Sequence, residues 1–213
     1  MPKATPSADS DTRQADSAPA ESSRGSSKER LLEAGRDLFW HRGFHNVGLA
    51  EILAQASVPK GSFYHHFKSK EDFGAAVIDS FGERALSLLE NHLSAEGPHL
   101  LRLRAFFLSQ RVIYRRNGCQ EGCLLGNLGQ ELADSSEALR LRVDRYLGLT
   151  TERFERCLEE ARREGELPGA TDPASLASVL YSGWHGALLR MKVCKSLEPV
   201  DAFLKFHFPT SAD

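Results

Sequence analysis

A short stretch near residue 60 carries a cation, a hydroxyl, a phenol and an imidazole, with no acid among them. If the stretch is helical, Phe63 and Phe67 lie four residues apart and share a buried face. The polar residues that then point outward are Lys60, Ser62, Tyr64 and His65. Such a face suits phosphate oxygens and base edges in a DNA major groove. The alternative is an ordinary helical hairpin whose polar face is only solvated.

The residues before this stretch predict a first short helix that holds the second one in place. Leu49, Ile52 and Leu53 put apolar side chains on one helical face. Pro59 interrupts that helix, because its ring clashes with a continuing helix, and the next helix opens at Pro59-Lys60. The pattern therefore predicts two short helices joined by a tight turn, the arrangement of a helix-turn-helix.

The segment 58–73, VPKGSFYHHFKSKEDF, closely resembles the signature of TetR-family transcriptional repressors. In that family the recognition helix ends in Tyr-x-x-Phe, and a lysine opens the following helix; here these are Tyr64, Phe67 and Lys70. The resemblance covers about residues 27–75. Together, the pattern and the resemblance give the predicted DNA-binding residues Gly48, Lys60, Gly61, Ser62, Tyr64, His65 and Lys70.

One of these positions departs from the family pattern. Gly48 lies where the family usually has a threonine or serine that caps the helix and contacts a phosphate. Glycine has no side-chain oxygen, so a phosphate contact at this position has to come from the backbone N–H or be absent.

Composition indicates a globular, all-α chain. It has 213 residues, 41% hydrophobic and 26% charged, and no stretch alternates like a strand. The net charge is −2, but residues 28–70 carry seven cations against four acids, so the predicted DNA-facing end is mildly basic. We find neither a signal-peptide pattern nor an apolar run of about 18 residues. Four cysteines without a secretion signal or paired zinc-site spacing predict reduced thiols in the cytoplasm, with no metal and no cofactor.

The chain divides into three predicted segments. Residues 1–25 are rich in Ser, Ala, Pro and Asp and predict a disordered tail. Residues 26–72 form the predicted helix-turn-helix domain, beginning at a capping box of Ser26 and Glu29, and residues 73–213 form a helical ligand-binding and dimerisation domain. A long helix capped by Ser69 is the covalent path between the two domains. We therefore expect this helix to transmit a movement of one domain to the other.

Five further helices follow Pro98, one of them predicted to be capped by Asp134. The predicted total is nine helices, and the TetR resemblance implies the same count. It also implies a homodimer whose last two helices form a four-helix interface. Small residues would let helices approach closely there, although ordinary packing within one subunit is the alternative. These residues are Ser178, Ser182, Gly183, Gly186 and Ala187.

Several polar groups interrupt the apolar faces of the second domain and predict a small ligand pocket. Gln110 is an amide within an aromatic and aliphatic stripe, and a buried amide needs a partner. Arg111 or His185 could supply positive charge for an acidic ligand. The other polar tips on apolar faces are Tyr114, Thr150 and Trp184. Taken singly, each is an ordinary core or surface residue; together they predict a pocket.

Cys123 is the sharpest candidate for a sensor. It lies at the predicted start of a helix, where free N–H groups and the helix dipole lower a thiol pKa and favour thiolate. Cys119, four residues earlier, could act as a resolving thiol. The alternative is a small residue packed at a turn. Gly122-Cys123-Leu124 resembles a TetR subgroup that contains N-ethylmaleimide-responsive and acrylate-responsive repressors, and in the former a cysteine in this setting senses electrophiles.

The first functional hypothesis is a dimeric repressor that binds a palindromic DNA operator and is released by a small inducer, such as acrylate or another unsaturated, electrophilic compound. A second is a thiol enzyme that uses Cys123 or Cys119 with His185 as base, but the sequence has no signature of an orienting group or an oxyanion donor. A third is an adaptor that keeps the helical fold without binding DNA.

Overall fold

The computed structural model describes residues 25–209, and every regular element in that range is an α-helix. The predicted nine-helix, all-α architecture is confirmed for this part of the chain. The predicted tail lies outside the described residues, except for Gly25. The helices are α1 (Ser27–Arg42), α2 (Leu49–Ala56), α3 (Lys60–His66), α4 (Lys70–Leu93), α5 (His99–Arg116), α6 (Leu124–Leu132), α7 (Glu137–Arg163), α8 (Pro173–Cys194) and α9 (Glu198–His207).

The helix ends follow local chemistry that the sequence displays. Ser26 and Glu29 form the predicted capping box of α1, and Gly43 ends that helix with φ +80°. Pro59 precedes the first residue of α3. One predicted cap is wrong: Ser136, not Asp134, accepts the N–H of Leu139 and begins α7. The reason is that the chain turns back on the end of α6, with the N–H groups of residues 135 and 136 both bonded to the carbonyl of residue 132.

The buried apolar side chains form two clusters that meet near the start of α6. The first joins the residues of α1, α2, α3 and the first half of α4 to α6 and the first half of α7. The second holds α5, α8, α9 and the second half of α7. Cys123 packs against both clusters. Helix α6 is thus part of the same core as the helix-turn-helix, while its first residues touch the core of the remaining helices. The domain boundary at residues 72 and 73 stays a prediction.

Close backbone approaches fix α4 between its neighbours. A Cβ added to Gly35 of α1 would come within 2.3 Å of the Phe73 ring on α4. A Cβ added to Gly82 of α4 would come within 2.3 Å of the Tyr146 ring on α7. Both glycines therefore permit tight helix packing, which holds α4 against α1 on one side and α7 on the other. No helix within residues 25–209 has the length and apolar character needed to cross a membrane.

Candidate nucleic-acid interface and ligand pocket

The outer face of α3 has the orientation that the sequence predicts. Phe63 is fully buried and packs on Phe73 with ring centroids 5.4 Å apart, and Phe67 packs on the same ring at 5.0 Å. This aromatic cluster turns the opposite side of α3 to solvent, where Tyr64 is 53% exposed. Lys60, Gly61 and His65 are also exposed, whereas Ser62 is half-buried. The result is an exposed surface of cationic and hydrogen-bonding groups.

The two adjacent imidazoles of α3 have different surroundings. Nε2 of His66 lies 2.8 Å from the hydroxyl of Ser27, so this ring ties α3 to the first turn of α1. Arg30 of α1 similarly donates to the carbonyl of Ala56 at the end of α2. His65, in contrast, stays exposed. Helix α1 thereby holds the two short helices in one fixed arrangement.

Lys70, a predicted DNA contact, points into the protein. Its ammonium donates to the carbonyl of Phe44 at 2.6 Å and lies 4.4 Å from the centre of the Phe44 ring. Burial lowers the pKa of Lys70, while the charges of Glu131 and Glu51 act in the opposite direction. In this conformation Lys70 fastens the loop between α1 and α2 to the start of α4, and it lies apart from the outer face of α3.

The backbone N–H of Gly48, the predicted phosphate donor, is already engaged. It donates to the carboxylate of Glu51 at 2.9 Å. This bond and the hydrogen bond from Arg42 lower the pKa of Glu51. A phosphate at Gly48 would therefore have to displace a carboxylate.

Cys123 borders a cavity of about 260 Å³ between α6 and α8, which we call the Cys123 pocket. Cys123 is the N-cap of α6, as predicted. The predicted lowering of its pKa is wrong, however: burial raises the pKa of the Cys123 thiol, although the N–H groups of Gly126 and Leu125 oppose the shift. The pocket is lined by Gly122, Cys123, Leu125, Gly126, Asn127, Gly129, Gln130, Leu147, His185, Leu188, Leu189 and Lys192.

Two residues that line this pocket, His185 and Asn127, also carry buried polar atoms without a partner among residues 25–209. Nε2 of His185 and Nδ2 of Asn127 are buried and have no hydrogen-bond partner within the described part of the chain. The His185 ring packs against the tilted ring of Tyr181, with centroids 4.5 Å apart. Burial lowers the pKa of His185, so its ring is neutral at pH 7. Buried polar atoms normally have partners, so these two atoms are exceptions among the buried groups.

The other predicted ligand residues are divided among different places. Gln110 and Tyr114 line a larger open groove of about 540 Å³ between α1, α4 and α5, which we call the interdomain groove. Trp184 is buried against Phe107, with ring centroids 4.8 Å apart. Thr150 is buried and donates to the carbonyl of Tyr146 within its own helix. These residues therefore do not all line one cavity, although Tyr114 packs on Trp184 with ring centroids 6.2 Å apart.

Arg111 is committed to another role. Its guanidinium pairs with both carboxylate oxygens of Asp201, which links α5 to α9. The hydrogen bond to Asp201 raises the pKa of Arg111. The predicted use of this charge for an acidic ligand is therefore not what the structure supports. Lys192, which borders the Cys123 pocket and was not predicted, is the nearer cation.

Helical spacing could have identified several of the missed pocket residues. Asn127 follows Cys123 by four residues, and Leu188 and Lys192 follow His185 by three and seven, so each set shares a helical face. The sequence does not show that these two faces meet. All four cysteines are free thiols, and Cys119 is buried.

Helix α6 contacts the helix-turn-helix at both of its ends. Before its start, the indole N–H of Trp40 donates to the carbonyl of Gly122 at 2.9 Å. At its end, the carboxylate of Glu131 accepts the N–H of Phe44 at 2.8 Å and that of His45 at 2.7 Å. A change at the Cys123 pocket can therefore reach the loop between α1 and α2 through a single helix of nine residues.

Comparisons with known proteins agree with this organisation. Residues 31–77 match the family model "Bacterial regulatory proteins, tetR family", and residues 100–206 match "Tetracyclin repressor-like, C-terminal domain". The chain is 37% identical to the transcriptional regulator AcuR of Cereibacter sphaeroides over 85% of each chain. It is 36% identical to the transcriptional repressor NemR of Escherichia coli, over 82% of this chain and 88% of NemR.

A crystal structure of a regulatory protein TetR from Rhodobacter sphaeroides superposes with a TM-score of 0.81 and 35% identity, covering 85% of this chain and 96% of that one. Proteins of this kind bind DNA as dimers and respond to small molecules; they are not enzymes, so the thiol-enzyme hypothesis is set aside. The chain belongs to the TetR family of transcriptional regulators.

Proposed function

We propose that this repressor binds a palindromic operator as a homodimer and is released when a small unsaturated, electrophilic compound, such as acrylate, acts at Cys123. The observation that carries the proposal is the position of Cys123, which packs against both hydrophobic clusters and begins the helix that contacts the helix-turn-helix. The resemblance to N-ethylmaleimide-responsive and acrylate-responsive repressors supports the same chemistry.

The proposed DNA surface is the outer face of α3. Lys60 and Tyr64 would contact phosphates and base edges, with His65, Ser62 and Gly61 beside them. Lys70 and Gly48 are not part of this proposed surface. We expect Lys70 and Gly48 to hold the helix-turn-helix in position instead. The Lys70 ammonium is engaged with the carbonyl of Phe44, and the Gly48 N–H with the carboxylate of Glu51. Because a dimer has two-fold symmetry, its half-sites should be separated by about one helical turn or a multiple of it. Such a regulator works where DNA is, in the cytoplasm.

Exposed apolar residues on α8 and α9 support the proposed dimer interface. Val179, Leu189 and Val193 form a stripe on α8 and are 61%, 48% and 73% exposed, and Phe206 of α9 is 81% exposed. Ser182 and Gly186 lie within the stripe and are exposed too, so a second copy could approach closely. A contiguous apolar surface of this kind is typical of a subunit interface.

The proposed sensing reaction is conjugate addition. The Cys123 sulfur forms a bond to the β-carbon of the alkene, the C=C π bond breaks, and the α-carbon takes a proton from water, while the thiol proton passes to solvent or to neutral His185. Because burial raises the pKa of Cys123, the thiolate is scarce at pH 7, and we expect a slow reaction that favours small, reactive compounds.

Two connections could carry the signal from the pocket to DNA. Helix α4 is the continuous covalent path, as the sequence predicts. Helix α6 adds a second one, because an adduct at its first turn would displace Gly122, which Trp40 holds, or Glu131, which holds the α1–α2 loop. Release requires only that the ligand favour one of the two states by about 1–3 kcal/mol.

The sensing proposal is tested by measuring operator binding before and after treatment with N-ethylmaleimide or acrylate. Fluorescence anisotropy with the DNA upstream of the gene should show release from the unmodified protein and from Cys194→Ser, and no release from Cys123→Ser. Cys194 is an exposed cysteine, so its variant is a matched control. Normal release of Cys123→Ser by both compounds would contradict covalent sensing at Cys123.

The dimer proposal is tested by Val193→Lys, with Val112→Lys as the matched control. Both valines are exposed, at 73% and 44%, but Val112 lies on α5, away from the stripe. Light scattering should give a monomer for Val193→Lys and a dimer for Val112→Lys. A dimer in both cases would place the interface elsewhere.

A further inference from the structure

We propose that the interdomain groove is a second ligand site, distinct from the Cys123 pocket, and that it binds aromatic carboxylates reversibly. The groove has about twice the volume of the Cys123 pocket, about 540 Å³ against about 260 Å³. The two cavities have no lining residue in common, and the neighbouring residues Glu121 and Gly122 line the groove and the pocket, respectively. This inference rests on the chain being a ligand-responsive regulator, but not on covalent sensing at Cys123.

The walls of the groove suit a flat apolar ring. Trp40 and Phe81 stand edge to face with centroids 5.4 Å apart and form one side. Phe106 and Tyr114 from α5 contribute further aromatic surface, and Leu88 adds an aliphatic side chain. Cavities lined mainly by aromatic and apolar groups with a few polar ones are typical small-molecule sites.

The charges around the groove predict an anionic group on the ligand. Arg36 is paired with Glu33 and Asp37, and His41 with Glu121. Arg84 of α4 also lines the groove, is exposed, and makes no ion pair or hydrogen bond through its side chain with any residue from 25 to 209. It is thus the groove cation available to a carboxylate.

Gln110 provides the polar group inside the groove. Its amide nitrogen makes one long hydrogen bond to the hydroxyl of Ser109, at 3.4 Å. The rest of its hydrogen-bonding capacity is open to a ligand placed between the aromatic walls. A ligand bound there would give the Gln110 amide the partner that its apolar surroundings lack.

The groove joins the two parts of the molecule that regulation must couple. Helix α1 supplies Trp40 and His41, whereas α5 supplies Phe106 and Gln110. Trp40 also holds the carbonyl of Gly122, next to Cys123. A ligand that binds this arrangement of helices more tightly than an alternative arrangement will therefore shift the affinity for the operator. Operator DNA will shift the affinity for the ligand by the same factor.

The test uses the full chain carrying Cys123→Ser, so that chemistry at the Cys123 pocket does not contribute. The probes are 1-naphthaleneacetate and its neutral analogue 1-naphthaleneacetamide, titrated by calorimetry. We expect the carboxylate to bind more tightly than the amide. Arg84→Gln should weaken the carboxylate about fivefold, the scale of one partly exposed ion pair, and leave the amide unchanged. Arg115→Gln, an exposed arginine of α5 outside the groove, is the matched control.

Two further measurements locate the ligand. The chain has two tryptophans, so its indole N–H signals in a nitrogen–proton NMR spectrum can be assigned with Trp184→Phe. The carboxylate should shift the Trp40 signal and leave that of Trp184 in place. Ala85→Phe, which fills the groove from α4, should abolish binding of both probes. Absent binding, or binding unchanged in both Arg84→Gln and Ala85→Phe, would overturn the second site. Release by N-ethylmaleimide in the cysteine-intact protein is scored separately, so either proposal can fail alone.

Discussion

The outer face of α3 and the Cys123 pocket both hold polar side chains carried by helices, yet their surroundings are opposite. On α3 the groups are exposed, with Tyr64 at 53% and Lys60 and His65 open to solvent. In the pocket, Cys123 is half-buried, and atoms of His185 and Asn127 are buried without partners. Exposed groups keep the chemistry of their residue type, whereas buried groups acquire chemistry from their neighbours.

In the function proposed above, this difference also separates DNA binding from ligand sensing. A DNA surface needs cations and donors that meet their ligand in water, and their affinity depends on salt. A sensor needs a response that few compounds can trigger, and burial provides this by excluding large molecules and by disfavouring the thiolate. Helix α6 joins the two regions, because Cys123 precedes its first turn and Glu131 lies near its last residue.

The largest expected effect concerns the exposed outer face of α3. Tyr64→Ala should weaken operator binding about a thousandfold, since each of two copies loses a contact worth about 2 kcal/mol. Gel shifts measure the affinity, and light scattering and thermal melting should show an intact dimer because Tyr64 is exposed. Unchanged affinity in a folded dimer would remove Tyr64 from the DNA surface.

The next effect tests the buried side. Because burial raises the pKa of Cys123, its reaction with N-ethylmaleimide should accelerate about tenfold from pH 7 to pH 8. Mass spectrometry of the modified peptide gives the rate, and Cys123→Ser gives the background from other thiols. A rate that levels off below pH 8 would instead indicate the low-pKa thiolate that the sequence alone predicts.

A smaller effect tests the link between the two regions. Glu131→Gln replaces one of two acceptor oxygens by an NH₂ group that faces a backbone N–H, so the variant loses a hydrogen bond to the α1–α2 loop. We expect a loss of about 1–3 kcal/mol in the free energy of unfolding and about tenfold weaker operator binding. Urea unfolding and anisotropy measure the two quantities.

The matched control for this change is Asp134→Asn, an exposed carboxylate three residues further along the chain. If Glu131→Gln and Asp134→Asn behave alike in both measurements, the hydrogen bonds of Glu131 to the α1–α2 loop do not hold the helix-turn-helix in place.

The smallest effect tests the burial of His185. Burial lowers the pKa of His185 below its value of about 6.5 in the unfolded chain. As pH falls below about 6.5, the unfolded chain therefore binds a proton that the folded chain does not, and stability decreases by at most about 1.4 kcal/mol per pH unit from this residue. Denaturant titrations at pH 7.5 and 5.5 should show a smaller decrease for His185→Asn.

His207, whose pKa burial also lowers, remains in both proteins and cancels in this comparison. An equal decrease with and without His185 would show that its ring is solvated in the folded protein.

Much of this protein follows from its sequence alone. The helix positions, the capping box at Ser26, the turn at Pro59 and the outward side of α3 are local features, set by apolar spacing and by the residues at helix ends. The segment from residue 58 to 73 also identifies the family, because the residues of the family signature are contiguous in the chain. Even the location of Cys123 at a helix start could be predicted in this way.

The tertiary structure decided what buried and distant groups do. The thiol of Cys123 has a raised pKa because packing against two clusters removes water from it, which outweighs two nearby N–H groups. Arg111 and Asp201 are 90 positions apart in the chain, and Trp40 and Gly122 are 82 apart. No local pattern encodes such pairs, since they exist only after helices from separate parts of the sequence have packed and excluded solvent.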